Sequence, residues 1–238
     1  MSRLEFVVWS PWPYFHRSAG MRSLFILGNE LRKRGHSVKI AKAYSLNPAF
    51  PVPTDDIPFD EFDFWDGESD AVHIYPEGVA DNPAQSDKVV RWVLSFRQHL
   101  WPSSDLIVTW SSKFMDAPIL QVEVVEPFFV DNGSVRTKKL FWVGKGRCPS
   151  DWILNSQHTQ ITYAWPETRQ ELAKELQQAK ELVLFDPMTC LEEEAKRCGC
   201  PVRLMVEKID IEYNPQPQQV DDFIALAKEK WPLSTSGR

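Results

Sequence analysis

Two acidic residues, Asp186 and Glu194, lie eight positions apart in the stretch FDPMTCLEEEAKRCGCPVRL, which covers residues 185–204. Asp186 follows the apolar run ELVLF, which predicts a buried strand, and Pro187 is a favourable first residue for a helix that would end near Cys198. Carboxylates bind hydroxyl groups, and the backbone N–H groups at the start of a helix bind phosphate oxygens. The stretch therefore predicts a place for a ligand that carries hydroxyls and phosphates, as a nucleotide does.

Glu194 is the glutamate of this helix that lies nearest the core. It lies roughly 70° from the centre of the apolar face, whereas Glu192 lies roughly 90° away and Glu193 points outward. A carboxylate at the edge of an apolar face needs hydrogen-bond donors, because an unpaired buried charge is costly. Ligand hydroxyls would be such donors. The alternative is that Asp186 only caps the helix and Glu194 pairs with a neighbouring arginine, and periodicity leaves both open.

Cys198 and Cys200 have the spacing C-x-C, which raises a metal site as a further interpretation of the same stretch. The sequence holds four cysteines, with no second closely spaced pair and no nearby histidine pair, and the spacings of known zinc sites are missing. We therefore expect no metal and no cofactor, and expect Cys200 to be a small buried residue. So few cysteines without a disulfide framework are typical of a reducing compartment.

The composition is that of a soluble globular protein of 238 residues, 43% hydrophobic and 25% charged. No run approaches the roughly 18 to 20 apolar residues of a membrane span, and the N-terminal apolar run is too short for a secretion signal. We therefore expect no transmembrane segment and a cytoplasmic location. A net charge of −6 disfavours nucleic acid as a partner, although a local basic groove stays open.

The first part of the chain alternates between strand and helix patterns. LEFVVW and HSVKIA predict buried strands on either side of a helix that begins near Ser18. Next, AVHIY predicts a strand, the spacing of Val89, Val93, Phe96 and Leu100 predicts a helix, and DLIVTW and ILQVEVV predict two more strands. The acidic, proline-rich segment over residues 47–70 interrupts this pattern and predicts either a solvated insertion or an acceptor-side lid.

A second α/β segment follows the polar stretch at residues 129–139, which contains an Asn-Gly turn. LFWVG, QITYA, ELVLF and PVRLMV predict strands, PETRQELAKELQQAKE predicts a helix, and a last amphipathic helix is predicted near residues 217–230. We predict an α/β fold of two Rossmann-like lobes with parallel sheets and a ligand cleft between them. The predicted domains are a first lobe at 1–132, a smaller ligand-binding lobe at 138–212, and a C-terminal helix at 213–238 that could pack on the first lobe.

The run D-x7-E followed by A-x2-C-G-C-P-V, from Asp186 to Val202, resembles the E-x7-E and CG-x-PV signature of retaining glycosyltransferases of GT-B architecture. The match lies in the second lobe, as in that family, although the first acid is aspartate and the chain is shorter than usual members. The resemblance implies that Glu194 holds the ribose of a nucleotide sugar and that Asp186 lies near the transferred sugar. It also implies that the amides of Met188, Thr189 and Cys190 bind the diphosphate.

Further segments of the second lobe carry the same resemblance. LFWVGKG is similar to the first strand and glycine turn of the family's donor lobe, which implies that Gly144 forms the turn and Lys145 neutralises the diphosphate. ITYAWPETRQELA is similar to the segment before the nucleotide-binding helix. The remaining donor-side candidates are Tyr163 and Trp165, which could face the base, and Arg147 and Arg169, which compete with Lys145.

The first lobe carries two weaker similarities. HRSAGM is similar to the loop after the first strand that approaches the phosphates, which places Arg17 and Gly20 on the donor side. YPEGVADNPAQ is similar to a segment of bacterial sugar transferases. His73, Glu77 and His16 are the candidates for contacting the sugar or the acceptor, and the alternative for His73 is a hydrogen-bonded histidine inside a strand.

The resemblance implies transfer of a sugar from a nucleoside diphosphate sugar, such as a UDP-sugar, to an acceptor hydroxyl with retention and without a metal. The acceptor stays open among a glycan, a small molecule and a nucleic-acid base. Two alternatives remain: a non-catalytic subunit that binds a nucleotide sugar, and a transferase that acts on a modified base. A dinucleotide oxidoreductase is disfavoured because no G-x-G-x-x-G follows the first strand of either lobe.

Overall fold

The structure, a computed structural model, describes residues 3–12, 14–42, 63–67, 70–79, 81–96 and 100–232. The acidic segment at 47–70, and with it the predicted lid, lies mostly outside these residues. The chain forms two compact units, the first made of Met1–Val124 with Glu212–Arg238 and the second of Val125–Ile211. Each unit holds one parallel sheet with helices, so the predicted α/β fold with two parallel sheets is confirmed.

The first unit contains a five-stranded sheet whose strands pair in the order β2-β1-β3-β4-β5, all parallel. Its strands are β1 (Glu5–Ser10), β2 (Ser37–Lys42), β3 (Val72–Pro76), β4 (Val89–Val93) and β5 (Leu106–Thr109), and its helices are α1 (Ala19–Lys33) and a C-terminal helix, Pro217–Lys230. Strands β1, β3 and β4 are buried almost throughout, in agreement with their mostly apolar sequences. Helix α1 begins where the Ser18 hydroxyl accepts the Met21 amide at 3.3 Å.

The second unit contains a four-stranded parallel sheet in the order β7-β6-β8-β9. Its elements are β6 (Lys138–Trp142), α2 (Ser150–Asn155), β7 (Thr159–Ile161), α3 (Arg169–Gln177), β8 (Ala179–Leu184), α4 (Leu191–Arg197) and β9 (Val202–Leu204); the C-terminal helix of the first unit is then α5. Phe141, Val183 and Phe185 form an apolar cluster on one face of the sheet, against which Trp152 of α2 packs. Helix α3 begins with a capping box between Thr168 and Glu171.

Both sheets reverse their strand order next to their first strand. In the second unit the chain passes from β6 to β7 on one side and then returns to β8 on the other side of β6. In the first unit the same reversal lies between β1 and β3. Ligands of open α/β sheets bind at such switch points, outside the carboxyl ends of the strands. The topology therefore points to the residues that follow β6 and β8 in one unit and β1 and β3 in the other.

Two elements of the first unit differ from the prediction. The predicted helix that starts at Val89 is wrong, because residues 89–93 form the buried strand β4, whose Arg91 is compensated by Asp105 at 2.8 Å. The predicted strand ILQVEVV is also wrong, because only Ile119 makes a bridge. Side chains from elsewhere in this unit bond the backbone of that segment instead, and the Tyr213 hydroxyl accepts the Val124 amide at 2.8 Å.

The helix predicted to start at Pro187 begins four residues later, at Leu191. Asp186 accepts the Met188 amide at 3.1 Å, and the Thr189 hydroxyl accepts the Leu191 amide at 3.3 Å. Such side-chain bonds to nearby amides offer the backbone an alternative to the helix. Residues 187–190 therefore form a turn, and α4 is short. Among the described residues, no helix combines the length and apolar character needed to cross a membrane.

Candidate functional site

The loop after β6 packs directly on Asp186, the first residue of the D-x7-E motif. The Lys145 amide donates to Asp186 Oδ2 at 3.0 Å, and the Met188 amide donates to Oδ1 at 3.1 Å. Asp186 is only 5% exposed, so two backbone donors fix its carboxylate at the carboxyl ends of β6 and β8. This is the switch point of the second sheet. A carboxylate oxygen accepts more than one hydrogen bond, so both oxygens can still accept from a hydroxyl.

Glycine is required on both sides of Lys145. Gly144 has φ +54°, and a Cβ at this position would lie 2.2 Å from Asp186 Oδ2 and 2.4 Å from Trp142 Nε1. A Cβ on Gly146 would lie 1.7 Å from the carbonyl oxygen of Phe185. All three distances are far below van der Waals contact, so a side chain at either position would force the loop away from β8. The two glycines therefore let the backbone of this turn approach the strand end closely.

Trp142 supplies an unmet hydrogen-bond donor beside this turn. Its ring is 7% exposed, and its buried Nε1 has no hydrogen-bond acceptor within the described part of the chain. Tyr163 packs edge-on against the Trp142 ring, with centroids 5.0 Å apart, and is itself 49% exposed. Burial, and then the nearby Asp186 carboxylate, raises the pKa of Tyr163. Tyr163 and Asp186 therefore lie near each other at the same edge of the sheet.

Three further donor-side candidates are accessible around the same edge. Lys145 and Arg147 are exposed, and the structure gives neither side chain an ion pair with a described residue. Trp165 is 36% exposed, and its amide donates to the Thr162 hydroxyl at 2.9 Å, which orders the segment after β7. The structure thus brings Gly144, Lys145, Tyr163 and Asp186 together, with both cations available for an anionic ligand.

Residues 188–190 offer fewer free amides at a helix start than the sequence predicts. The Met188 amide is taken by Asp186, and the Cys190 carbonyl oxygen accepts the Glu194 amide at 3.1 Å inside the helix. Because α4 starts only at Leu191, Thr189 and Cys190 belong to the turn before it. Their predicted role at the diphosphate stays a prediction.

Glu194 pairs with an arginine, which was the alternative left open by the sequence. Its Oε1 accepts from Arg169 Nη2 at 2.7 Å, and the residue is 2% exposed. Arg169 also holds Glu126, with Nε to Oε1 at 3.0 Å and Nη2 to Oε2 at 2.5 Å, and its guanidinium lies 4.5 Å from the centre of the Phe129 ring. Burial opposes the charge on Arg169, but the adjacent Glu194 and Glu126 carboxylates outweigh it and raise the pKa of Arg169. We call Glu126, Arg169 and Glu194 the buried ion triad.

Glu126 and Glu194 bind the Nε and Nη2 groups of the buried Arg169, so this arginine is a poor candidate for binding a diphosphate. A ribose hydroxyl would have to share the Glu194 carboxylate with Arg169. The ribose contact of Glu194 therefore stays a prediction, whereas its pairing with Arg169 is a feature of the structure.

The cysteines of the motif lie in the core. Cys198 is 0% and Cys200 3% exposed, and burial raises the pKa of these thiols to about 12 and about 11. The described residues contain no group of three or more His, Cys, Asp or Glu side chains placed to hold a metal ion. Both thiols are therefore core groups in the protonated form.

In the first unit, His73 lies inside the core. It is 1% exposed, its Nδ1 accepts from Trp9 Nε1 at 2.9 Å, and its ring stacks on Tyr75 with centroids 6.1 Å apart. Burial lowers the pKa of His73 to about 4, so the imidazole is neutral at pH 7. This is the hydrogen-bonded strand histidine that the sequence left open as the alternative.

The other first-unit candidates lie near the switch point between β1 and β3. Glu77 follows β3, where its carboxylate accepts the Leu94 amide at 2.9 Å and the Ser95 hydroxyl at 2.6 Å. His16 and Arg17 are half-buried in the loop before α1. Gly20 lies in the first turn of α1, where a Cβ would meet only Ser18 Oγ at 3.9 Å, so this position has room for a side chain.

Sequence reasoning missed three contributors to the second unit's site. Gly146 and Trp142 lie within or beside the LFWVGKG segment, and the G-x-G spacing was the signal for Gly146. Glu126 lies far from α3 in the chain, and no local pattern connects it to Arg169. Only the folded structure shows this partner.

A comparison with protein-family models gives no match, and a comparison with curated proteins gives none either. The resemblance to GT-B glycosyltransferases therefore rests on the motif residues alone.

Proposed function

We propose that the second unit binds a nucleoside diphosphate sugar at the carboxyl edge of β6 and β8, and that the protein transfers the sugar to an acceptor hydroxyl. The observation that carries this proposal is the glycine turn at 144–146, which packs on Asp186 without room for a side chain at the switch point of the sheet. A tight glycine turn after the first strand of a Rossmann-like sheet is the feature that holds backbone amides beside a bound diphosphate in such folds.

The chemistry of the surrounding groups supports a ligand with hydroxyls, phosphates and an aromatic ring. Asp186 presents carboxylate oxygens held by two amides, which suits acceptance from sugar hydroxyls. Lys145 is an exposed cation on the same turn, which suits the negative charge that develops on a leaving diphosphate. Tyr163 offers an exposed ring for stacking a base, next to the unmet donor of Trp142.

In the proposed reaction the bond between the anomeric carbon and the diphosphate breaks, and a bond to the acceptor oxygen forms on the same face of the sugar. The acceptor hydroxyl passes its proton to the departing diphosphate oxygen as the bond forms. Lys145 stabilises the departing diphosphate, and Asp186 orients the transferred sugar through its hydroxyls. In this proposal retention requires no covalent intermediate on the protein.

Binding and turnover are tested separately. We expect isothermal calorimetry to detect binding of at least one of UDP, GDP and ADP, and we expect release of nucleoside diphosphate from the matching sugar. Lys145→Ala should weaken binding by about tenfold, the loss of one charge-assisted contact of about 1.4 kcal/mol. Lys174→Ala removes the same charge from the exposed side of α3 and should leave binding unchanged.

The outcomes separate the candidate functions. Failure of all three nucleotides to bind would contradict both the transferase and the alternative of a non-catalytic nucleotide-sugar subunit. Saturable binding without turnover, over glycan, small-molecule and nucleic-acid acceptors, would favour the non-catalytic subunit. Turnover only with a nucleic-acid acceptor would favour a transferase that modifies a base.

A further inference from the structure

A second cavity lies at the opposite edge of the same sheet, at the amino ends of β6 and β7. Its volume is about 340 Å³, and its lining includes Lys139, Trp152, Ser156, Gln157, His158 and Arg203. We call it the amino-edge cavity. The donor site proposed above lies at the carboxyl edge of β6 and β8, so the two are distinct, and nothing below depends on the transferase proposal.

The register of the sheet explains why polar side chains meet here. Lys139 is the residue before Leu140, which pairs with Thr159, so Lys139 and His158 are neighbours across β6 and β7. Lys139 pairs directly with Glu181 of β8, and the alternation of side chains places the apolar Phe141 and Val183 further along on the same face. The face is thus apolar beneath α2 and charged at its amino edge.

Two polar atoms of the amino-edge cavity are buried without a partner. Within the described part of the chain, His158 Nδ1 and Ser156 Oγ have no hydrogen-bond partner, and the His158 side chain is only 8% exposed. His158 Nε2 lies 2.6 Å from Glu181 Oε2, and a carboxylate can only accept, so Nε2 carries the ring proton. In the neutral ring Nδ1 is then a hydrogen-bond acceptor, and in the imidazolium cation it is a donor. Buried polar atoms are almost always paired, so this pair of atoms points to a bound group.

The charge of the cavity favours an anion. Lys139 and Arg203 both line it, and its lining contains no carboxylate. Of the two carboxylates nearby at this edge, Glu175 pairs with Lys138, and Glu181 contacts His158 and Arg203, the latter at 3.3 Å. Lys139 makes no ion pair with any described residue. The cavity is therefore a basic site on a chain whose net charge is −6.

We propose that the amino-edge cavity binds a phosphate monoester of a small molecule. Lys139 and Arg203 would contact the phosphate oxygens, and Ser156 Oγ would donate to one of them. The second ionisation of a phosphate monoester lies near pH 6, so a hydrogen phosphate can also donate its O–H to the His158 Nδ1 lone pair. A carboxylate or sulfate has no such proton at neutral pH. The volume exceeds that of a phosphate group alone, and Trp152 offers an aromatic wall for the esterified group.

The test is calorimetric titration of the full chain with phenyl phosphate, inorganic phosphate and sulfate at pH 6, where about half of the phosphate monoester carries the donating proton. We expect saturable binding in the order phenyl phosphate, phosphate, sulfate, with phenyl phosphate at least about tenfold tighter than sulfate. Hydrogen exchange of peptides that cover residues 152–158 should slow when phenyl phosphate is bound. Calorimetry with sulfate equal to phenyl phosphate would overturn the assignment of a phosphate monoester.

The variants locate the binding site. Lys139→Ala and Ser156→Ala should each weaken phenyl phosphate binding by about tenfold. Neither side chain makes a hydrogen bond or an ion pair with a described residue, so both variants should keep the wild-type melting temperature within about 2 °C. Lys180→Ala is the matched control, because it removes an exposed lysine from the amino end of β8 and should leave binding unchanged. Absence of saturable binding up to about 10 mM, or affinity unaltered by both variants, would overturn the proposal.

Discussion

Glu194→Ala tests whether the buried ion triad stabilises the second unit. Arg169 is 8% exposed and Glu194 2% exposed, so the substitution leaves a buried guanidinium with Glu126 as its remaining carboxylate partner. Breaking a buried ion pair by removing one partner costs about 3 to 5 kcal/mol. Because the Glu126 side chain stays in place and is 28% exposed, we expect the lower end, about 3 kcal/mol, from the free energy of unfolding.

The assay is hydrogen exchange of amides in α3 and α4, because it reports the opening free energy of this unit separately from the rest of the chain. A loss of about 3 kcal/mol should lower the protection of these amides by about a hundredfold, since each 1.4 kcal/mol is a factor of ten. Glu193→Ala is the matched control on the same helix. Its side chain pairs with Arg197 at 3.1 Å on the surface, and we expect a loss of about 0.5 kcal/mol or less.

Two results would contradict a stabilising role of the buried ion triad. If Glu194→Ala lowered protection no more than Glu193→Ala, the pairing with Arg169 would contribute nothing to stability. If protection were also lost equally in amides of the first unit, the effect would not belong to the triad.

Three further predictions concern other parts of the chain. Gly144→Ala should lower the free energy of unfolding by about 3 kcal/mol, because the new Cβ meets Asp186 and Trp142, whereas Gly133→Ala, with φ +71° and open space, should cost only about 1 kcal/mol; urea unfolding measures both. Burial lowers the pKa of His73 to about 4 in the native state, whereas in the unfolded chain this pKa is about 6.5. The contribution of His73 to the free energy of unfolding is therefore complete above about pH 6.5. That contribution should fall by up to about 1.4 kcal/mol per pH unit as the pH drops towards 4, and His73→Phe should flatten this slope in urea unfolding followed over that range. Cys198 and Cys200 should resist iodoacetamide at about pH 8 in the native protein and react in urea, as mass spectrometry of the alkylated peptides would show. Equal losses for the two alanine variants, an unchanged pH slope or labelling of the native core thiols would each contradict the corresponding prediction.

The fold could be predicted where one pattern dominated a segment. The alternation of buried strands with the amphipathic helices α1 and α5 was readable because apolar runs and helical spacing agree with the local turn residues. Strand β4 was mistaken for a helix because Val89 and Val93 fit both periods, and only pairing with β3 and β5 decides between them. Short runs of apolar residues carry this ambiguity in any sequence.

The sequence predicted which residues lie at the candidate site, but it did not predict which partners their side chains bind. Asp186, Gly144 and Lys145 could be placed at strand ends from local sequence, and the sheet brings them together. The partner of Glu194 depends on Arg169 being held by Glu126, which lies 43 residues before it in the chain. Local patterns contain no information on such a partner.

The proposed function requires a nucleoside diphosphate to bind at the carboxyl edge of β6 and β8. Hydrogen exchange with and without a saturating nucleoside diphosphate tests it most directly, because backbone amides of the glycine turn would be covered by the ligand. We expect slower exchange in peptides over residues 143–147 and 186–190. Unchanged exchange over 143–147 and 186–190 with UDP, GDP and ADP alike would contradict the claim.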